Sequence, residues 1–163
     1  MLKKVIKYTD YNDMPRTQEF FFYLSKKDIQ MLNAKYQEDG GLSGRFNIIM
    51  NKMDMRRLLE TVEDLVLNSY GEKSEDGTRF VKNPKVKEEF QYSAAYEALF
   101  DELTGGDNAA DKFSDFLRKI LPNEVQAQIA KAEAEGNVEM PEILAEAIKD
   151  QKAVEAKVTD ISK

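Results

Sequence analysis

The sequence of 163 residues predicts a mainly α protein, a helical domain led by an amino-terminal β-hairpin and followed by a weakly ordered helical tail. Three observations carry this reading. Apolar residues recur at helical spacing through the middle of the chain, as in RRLLETVEDLVLNSY, where Leu58, Leu59, Val62, Leu65, Val66 and Tyr70 fall on a broad stripe. The two opening segments, LKKVIKY and TQEFFFYL, instead read as strands flanking TDYNDMPR, whose asparagine, aspartates and proline suit a turn. After Pro122 the composition shifts to alanine, glutamate and lysine, with no aromatic residue beyond Phe116. The expected organisation is therefore residues 1–122 as hairpin plus helical core, and 123–163 as tail.

Taken in order, the second strand places Phe20, Phe22 and Leu24 on one face and Phe21 and Tyr23 on the other. A two-stranded ribbon can hide only one face against a single helical layer. Either helices or self-association cover both faces, or the face carrying Phe21 and Tyr23 meets a partner; these two are the candidate partner-binding residues. Ser25 opens SKKD, in which serine and aspartate can each accept the other's backbone N–H, so a helix starts near Lys26 and runs to about Gln37. The glycines of EDGG stop it. A short helix with Leu42, Phe46, Ile48, Ile49 and Met53 follows, and Asp54 is placed to cap the strong helix that Gly71 ends.

Pro84 suits the first turn of a further helix, which begins with Val86 and Phe90. Tyr92, Tyr96, Leu99, Phe100 and Leu103 continue an apolar face, with Ser93 as a second cap across a break. After the glycines of GGD, Ala109, Phe113, Phe116, Leu117, Ile120 and Leu121 give an amphipathic helix ending near Pro122. The tail has helical propensity but few large side chains to bury, and Gly136 and Pro141 divide it. It carries 5 lysines against 9 acidic residues, most of the net charge of −6.

That acidic balance, with no compact basic stripe, argues against general nucleic-acid binding. The chain has no cysteine and no histidine, which removes disulfides, thiolate nucleophiles and the commonest transition-metal ligands. No apolar run approaches the roughly 20 residues that span a bilayer, and MLKKVIKYTDY lacks the apolar segment of a secretory signal, so a cytoplasmic protein is expected.

The stretch YGEKSEDGTRFVKNP, residues 70–84, is the one segment that resembles a ligand loop. As a phosphate loop it fails, because five residues separate Gly71 from Gly77 and Thr78 stands where lysine should follow. As a calcium loop it places Glu72, Ser74 and Asp76 at ligand positions, but Asn83 replaces the closing bidentate glutamate. The structural reading explains more of it: SEDG makes a turn, Thr78, Phe80 and Val81 return as a short extended segment, and Phe80 is expected in the core beside Tyr70. Carboxylate pairs such as Glu60 with Asp64 and Glu97 with Asp101 lie one helical turn apart, as solvated charges do. No cofactor, metal site or catalytic constellation is expected.

The wording and order of these elements resemble the tail assembly chaperones of long-tailed phages and prophages, chiefly of Gram-positive hosts. The features that carry the resemblance are KKVIKYTDYN…TQEFFFYLSKKDI, LLETVEDLVLNSYGEKSEDGTRFVKNPKVKEEF, SAAYEALFDEL and DNAADKFSDFLRKILPNE, together spanning roughly residues 1–122. Within them Tyr70–Gly71, Lys73–Ser74, Asp76–Gly77, Arg79–Phe80 and Glu89–Phe90 match the usual central pattern of that family. The resemblance implies a non-enzymatic protein that binds the tape-measure protein and is lost from the finished virion. It also implies a longer form, made by ribosomal frameshifting, that recruits tail-tube subunits. Self-association is compatible with that role, and methionines such as Met31, Met50, Met53 and Met55 offer adaptable apolar contacts, as a core or at a surface. A structural virion protein, at the neck or in tail completion, and a prophage regulatory binding module are the alternatives the residues leave open.

Overall fold

A computed structural model describes residues 1–134. The strands β1 (Leu2–Thr9) and β2 (Pro15–Phe22) form an antiparallel hairpin paired over its full length, from Leu2 opposite Phe22 to Thr9 opposite Pro15. Its tip is closed by Asp10, whose carboxylate accepts the N–H groups of Asn12 and Met14 and the Nε–H of Arg16 at 2.7–3.0 Å. There follow α1 (Lys26–Lys35), a 3₁₀ turn at Gln37–Asp39, α2 (Gly41–Lys52) and α3 (Met55–Ser69). Next come β3 (Tyr70–Lys73), β4 (Phe80–Val81), α4 (Pro84–Gln91), α5 (Ala94–Thr104), α6 (Ala109–Ile120) and α7 (Asn123–Ala134). The mainly α class and the amino-terminal hairpin stand as expected. The part of the expected tail beyond Ala134 lies outside the described residues.

The chain divides into two compact units, Met1–Asp28 with Arg56–Pro122, and Ile29–Met55 with, among the described residues, Asn123–Ala134. The first unit is built on a sheet larger than the hairpin, with four strands in the order β1-β2-β3-β4. Its inward face carries Leu2, Ile6, Phe20 and Phe22, and α5 and α6 pack on β1 while α4 packs on β3. Phe22, Tyr70 and Phe90 form the aromatic centre: the Tyr70 and Phe90 rings stack with centroids 4.0 Å apart, and Phe22 meets Phe90 and Phe116 edge-on at 5.8 and 5.3 Å. Such pairs add about 0.5–1.5 kcal/mol each beyond the area they bury. Val62, Leu65 and Val66 of α3, Leu99 of α5 and Ile120 of α6 are all essentially inaccessible.

The helix boundaries follow from local chemistry. Ser25 and Asp28 form the reciprocal cap: Asp28 N–H donates to Ser25 Oγ at 3.1 Å and Ser25 N–H to Asp28 Oδ2 at 2.8 Å. Asn83 and Ser93 cap α4 and α5 by accepting from the N–H groups of Val86 and Tyr96. In the second unit, α1 ends at Lys35, sooner than Gln37, because the chain tightens into the 3₁₀ turn and Gly40 takes a left-handed φ of 86°. Leu32, Tyr36, Leu42, Phe46 and Ile49 are buried there, and so is Arg45, which donates to Asp39 at 2.6 Å with its guanidinium 4.5 Å from the Tyr36 ring centre.

Several local expectations are corrected. Met53 does not join the apolar face of α2; it terminates that helix at φ 51° and is 85% exposed. Tyr92 likewise ends α4 and is 73% exposed, because the break at Ser93 interrupts the stripe. Gly71 does not end a helix: α3 stops at Ser69, and Gly71 lies inside β3 opposite Phe21.

Candidate partner-binding face

Strand pairing fixes which side chains share the outward face of the sheet. Phe21 lies opposite Lys3 and Gly71, Glu19 opposite Val5, and Lys73 opposite Phe80, so these residues all point away from the aromatic centre. Tyr23 continues the alternation, its N–H donating to Ser69 O at 2.7 Å. Phe21 and Tyr23 are therefore brought onto one face, as the sequence expected, and both are half-buried. What shields them includes side chains of the sheet itself. Lys73 Nζ stands 4.3 Å from the centre of the Phe21 ring, and Lys82 Nζ stands 5.8 Å from that of Tyr23 and 5.5 Å from that of Phe80.

Phe80 belongs to this outward face, where the sequence reading had put it in the core beside Tyr70. The reason lies at Gly71: a Cβ there would meet the Phe80 ring at 2.7 Å, so the glycine is what lets the ring lie over β3. Toward β1 the same face is open, with Lys3, Val5, Lys7, Thr17 and Glu19 exposed and Lys3 paired to Glu19 at 3.1 Å. The result is an aromatic patch of Phe21, Tyr23 and Phe80 bordered by lysines, on a chain that is acidic overall. The sequence does not point to Phe80, Lys73 and Lys82 as members of this face. The signal for them was the alternation in YGEK and RFVK, legible only once β3 is known to pair with β2.

Lys82 also holds the edge of the patch to the rest of the unit. Its ammonium donates to the carbonyls of Tyr23 and Asn68 and to Asp28 Oδ2, the last at 2.7 Å. Burial lowers the Lys82 pKa, and the bond and charge of Asp28 act the other way. Next to it, Lys87 Nζ donates to Asn68 Oδ1 at 2.9 Å.

The loop between β3 and β4 turns its acid inward. Asp76 Oδ1 accepts from Ser74 Oγ at 2.6 Å and from the Oγ1 and N–H of Thr78 at 2.8 and 3.0 Å. These bonds hold its carboxyl down at about 2, and they make the segment an Asx-type turn with Gly77 at φ 71°. Among the described residues no group of three or more acidic side chains is arranged to hold a metal ion, and no helix is long and apolar enough to cross a membrane.

The first unit thus presents an aromatic face on a four-stranded sheet whose other face is backed by helices. Comparison with protein families gives the particular assignment: the family model described as phage tail assembly chaperone matches residues 1–162, and the chain belongs to that family. Comparison with curated proteins and with solved structures finds no match.

Proposed function

We propose that this protein is a non-enzymatic chaperone that binds the tape-measure protein in the host cytoplasm, keeps it soluble while the tail tube assembles around it, and leaves before the virion is complete. Membership of the tail assembly chaperone family supports a role in assembly. The observation that carries the finer reading is the outward sheet face, where Phe21 and Tyr23 sit within a fringe of lysines and offer apolar area at the surface. A long amphipathic partner needs such a surface, because its own apolar stripes must be covered before assembly. A longer form, made by ribosomal frameshifting, would bring tail-tube subunits to this complex.

Co-expression with the tape-measure protein tests this directly. The expected result is a soluble complex with several copies of this chain per partner, and purified particles in which mass spectrometry finds none of it. A partner that stays insoluble while this chain elutes alone overturns the reading; the chain in mature particles would make it a virion component.

A further inference from the structure

The sheet contains a fork. β1 pairs with β2 from Thr9 to Leu2, but β3 pairs with β2 only at Phe21–Gly71 and Phe22–Tyr70 before it diverges. Along Pro15–Phe20 the second edge of β2 therefore has no strand against it among the described residues. An open cleft of about 680 Å³ fills the fork, lined on one side by Gln18, Glu19 and Phe20 and on the other by Gly71, Glu72 and Lys73.

Strand parity says which groups face that cleft. Tyr23 N–H points toward the β3 side, since it donates to Ser69 O. The N–H and C=O of one residue in a strand point the same way and reverse at the next, so Phe21, Glu19 and Thr17 also face that side. Phe21 is matched by Gly71, which leaves the main-chain groups of Glu19 and Thr17 facing the cleft. Pro15, with the same parity, presents no N–H and ends the available edge.

We infer that the fork receives an extended segment of the partner protein, which adds a strand to β2 at Thr17–Glu19 and completes the ladder that β3 begins. The inference rests on the chaperone reading above and specifies how that partner is held. The chemistry of the occupant follows from the walls. An inward side chain beside Phe20, whose ring is 6.2 Å from that of Tyr70, must be apolar, whereas one beside Gln18 and Glu72, which share that parity, can be polar. The outward neighbours would lie between Glu19 and Lys73 and must be polar, so the fitting segment sets an apolar residue beside Phe20 between polar ones. The other free edge, that of β1, is less suited, because its outward-facing residues include Lys3 and Lys7, the charges that keep edge strands from pairing. Strand addition of this kind draws affinity from main-chain hydrogen bonds and specificity from alternate side chains.

The test uses the full chain co-expressed with the tape-measure protein. The double variant Thr17→Pro, Glu19→Pro removes both cleft-facing N–H groups and leaves the bonds to β1, made by Arg16, Gln18 and Phe20, in place. It is expected to keep the wild-type unfolding transition and to capture at least about tenfold less partner. Single-residue hydrogen exchange on the wild-type complex is the second measurement: partner binding should slow exchange at Thr17 and Glu19 and leave Gln18 and Phe20 as they were. Undiminished capture by the folded variant, or unchanged exchange at Thr17 and Glu19 in a formed complex, overturns the strand addition alone. A wild-type chain that captures no tape-measure protein removes the chaperone reading and the strand addition together.

Discussion

Lys82 Nζ lies 2.7 Å from Asp28 Oδ2, 54 positions earlier in the chain, and through that contact the end of β4 is tied to the first turn of α1. The same ammonium reaches the last residues of α3 and the chain leaving β2, so one side chain gathers four segments. Replacing it by methionine leaves the Asp28 carboxylate without this partner and two carbonyls without this donor. The expected loss is about 1–3 kcal/mol, read as a lower urea midpoint, since both groups are largely enclosed.

The acid dependence of the same pair has a definite sign. Burial alone would raise the Asp28 carboxyl, but hydrogen bonds from Lys82 and Ser25, with the lysine charge, outweigh it and hold the pKa below its ordinary value. A carboxyl lowered by folding contributes stability that is fully present above the unfolded value of about 3.9 and is lost as pH falls through the folded one. Stability measured from pH 6 downward should therefore decline less steeply in Asp28→Asn than in the wild type, and equal slopes would show that the pair carries no pH dependence.

At the alkaline end Tyr70 dominates one part of the curve. Burial, then the charge and hydrogen bond of Glu72, push its hydroxyl up to about 12. Because the folded value exceeds the unfolded one of about 10, the stabilising preference for the neutral phenol is complete below pH 10 and is lost as pH rises toward 12. Tyr70→Phe should flatten that fall. In the wild type, the part of the phenolate absorbance that Tyr70→Phe removes should appear only as pH approaches about 12.

How much of this was legible in the sequence varied with the range of the interactions involved. The hairpin, the caps at Ser25, Asn83 and Ser93 and the helical stripes are set by neighbours within a few positions, and they could be read directly. Asp76 and Gly77 announced a turn for the same reason. The pairing of β3 with β2 joins residues about 50 positions apart over only two pairs, too short for any periodicity to reveal, and Phe80 was misplaced because its face depends on that pairing. The candidates Phe21 and Tyr23 emerged from strand alternation alone. The lysines around them, and the cleft beside them, required the fold.

Gly44 and Gly77 separate two costs that sequence cannot. A Cβ at Gly44 would lie 2.1 Å from the carbonyl oxygen of Asp39, a backbone atom fixed by the 3₁₀ turn, whereas at Gly77 a Cβ meets nothing and only its φ of 71° resists substitution. Alanine at Gly77 should cost about 1–2 kcal/mol. Alanine at Gly44 should cost about 3 kcal/mol or more, since the turn itself must move. Chemical unfolding of the two variants ranks them, and a smaller loss at Gly44 would contradict the close approach.

The aromatic patch gives the prediction closest to function. Phe21 and Tyr23 are half-buried and face away from the aromatic centre, so serine at both positions removes apolar area from the surface without opening a core cavity. Each truncation should lower stability by about 1 kcal/mol, from partial loss of an aromatic's burial and, at Phe21, of the Lys73 contact. Central aromatic residues of an interface commonly contribute about 2 kcal/mol or more to binding, so the double variant should hold the tape-measure protein at least about a hundredfold more weakly. Phe113→Ser, at a half-buried position of α6, serves as a control of similar chemistry on a helix. If the two variants capture the partner equally well at matched folded fractions, the outward face is not where it binds; loss confined to Phe21→Ser, Tyr23→Ser places the contact on the side of the sheet opposite the aromatic centre.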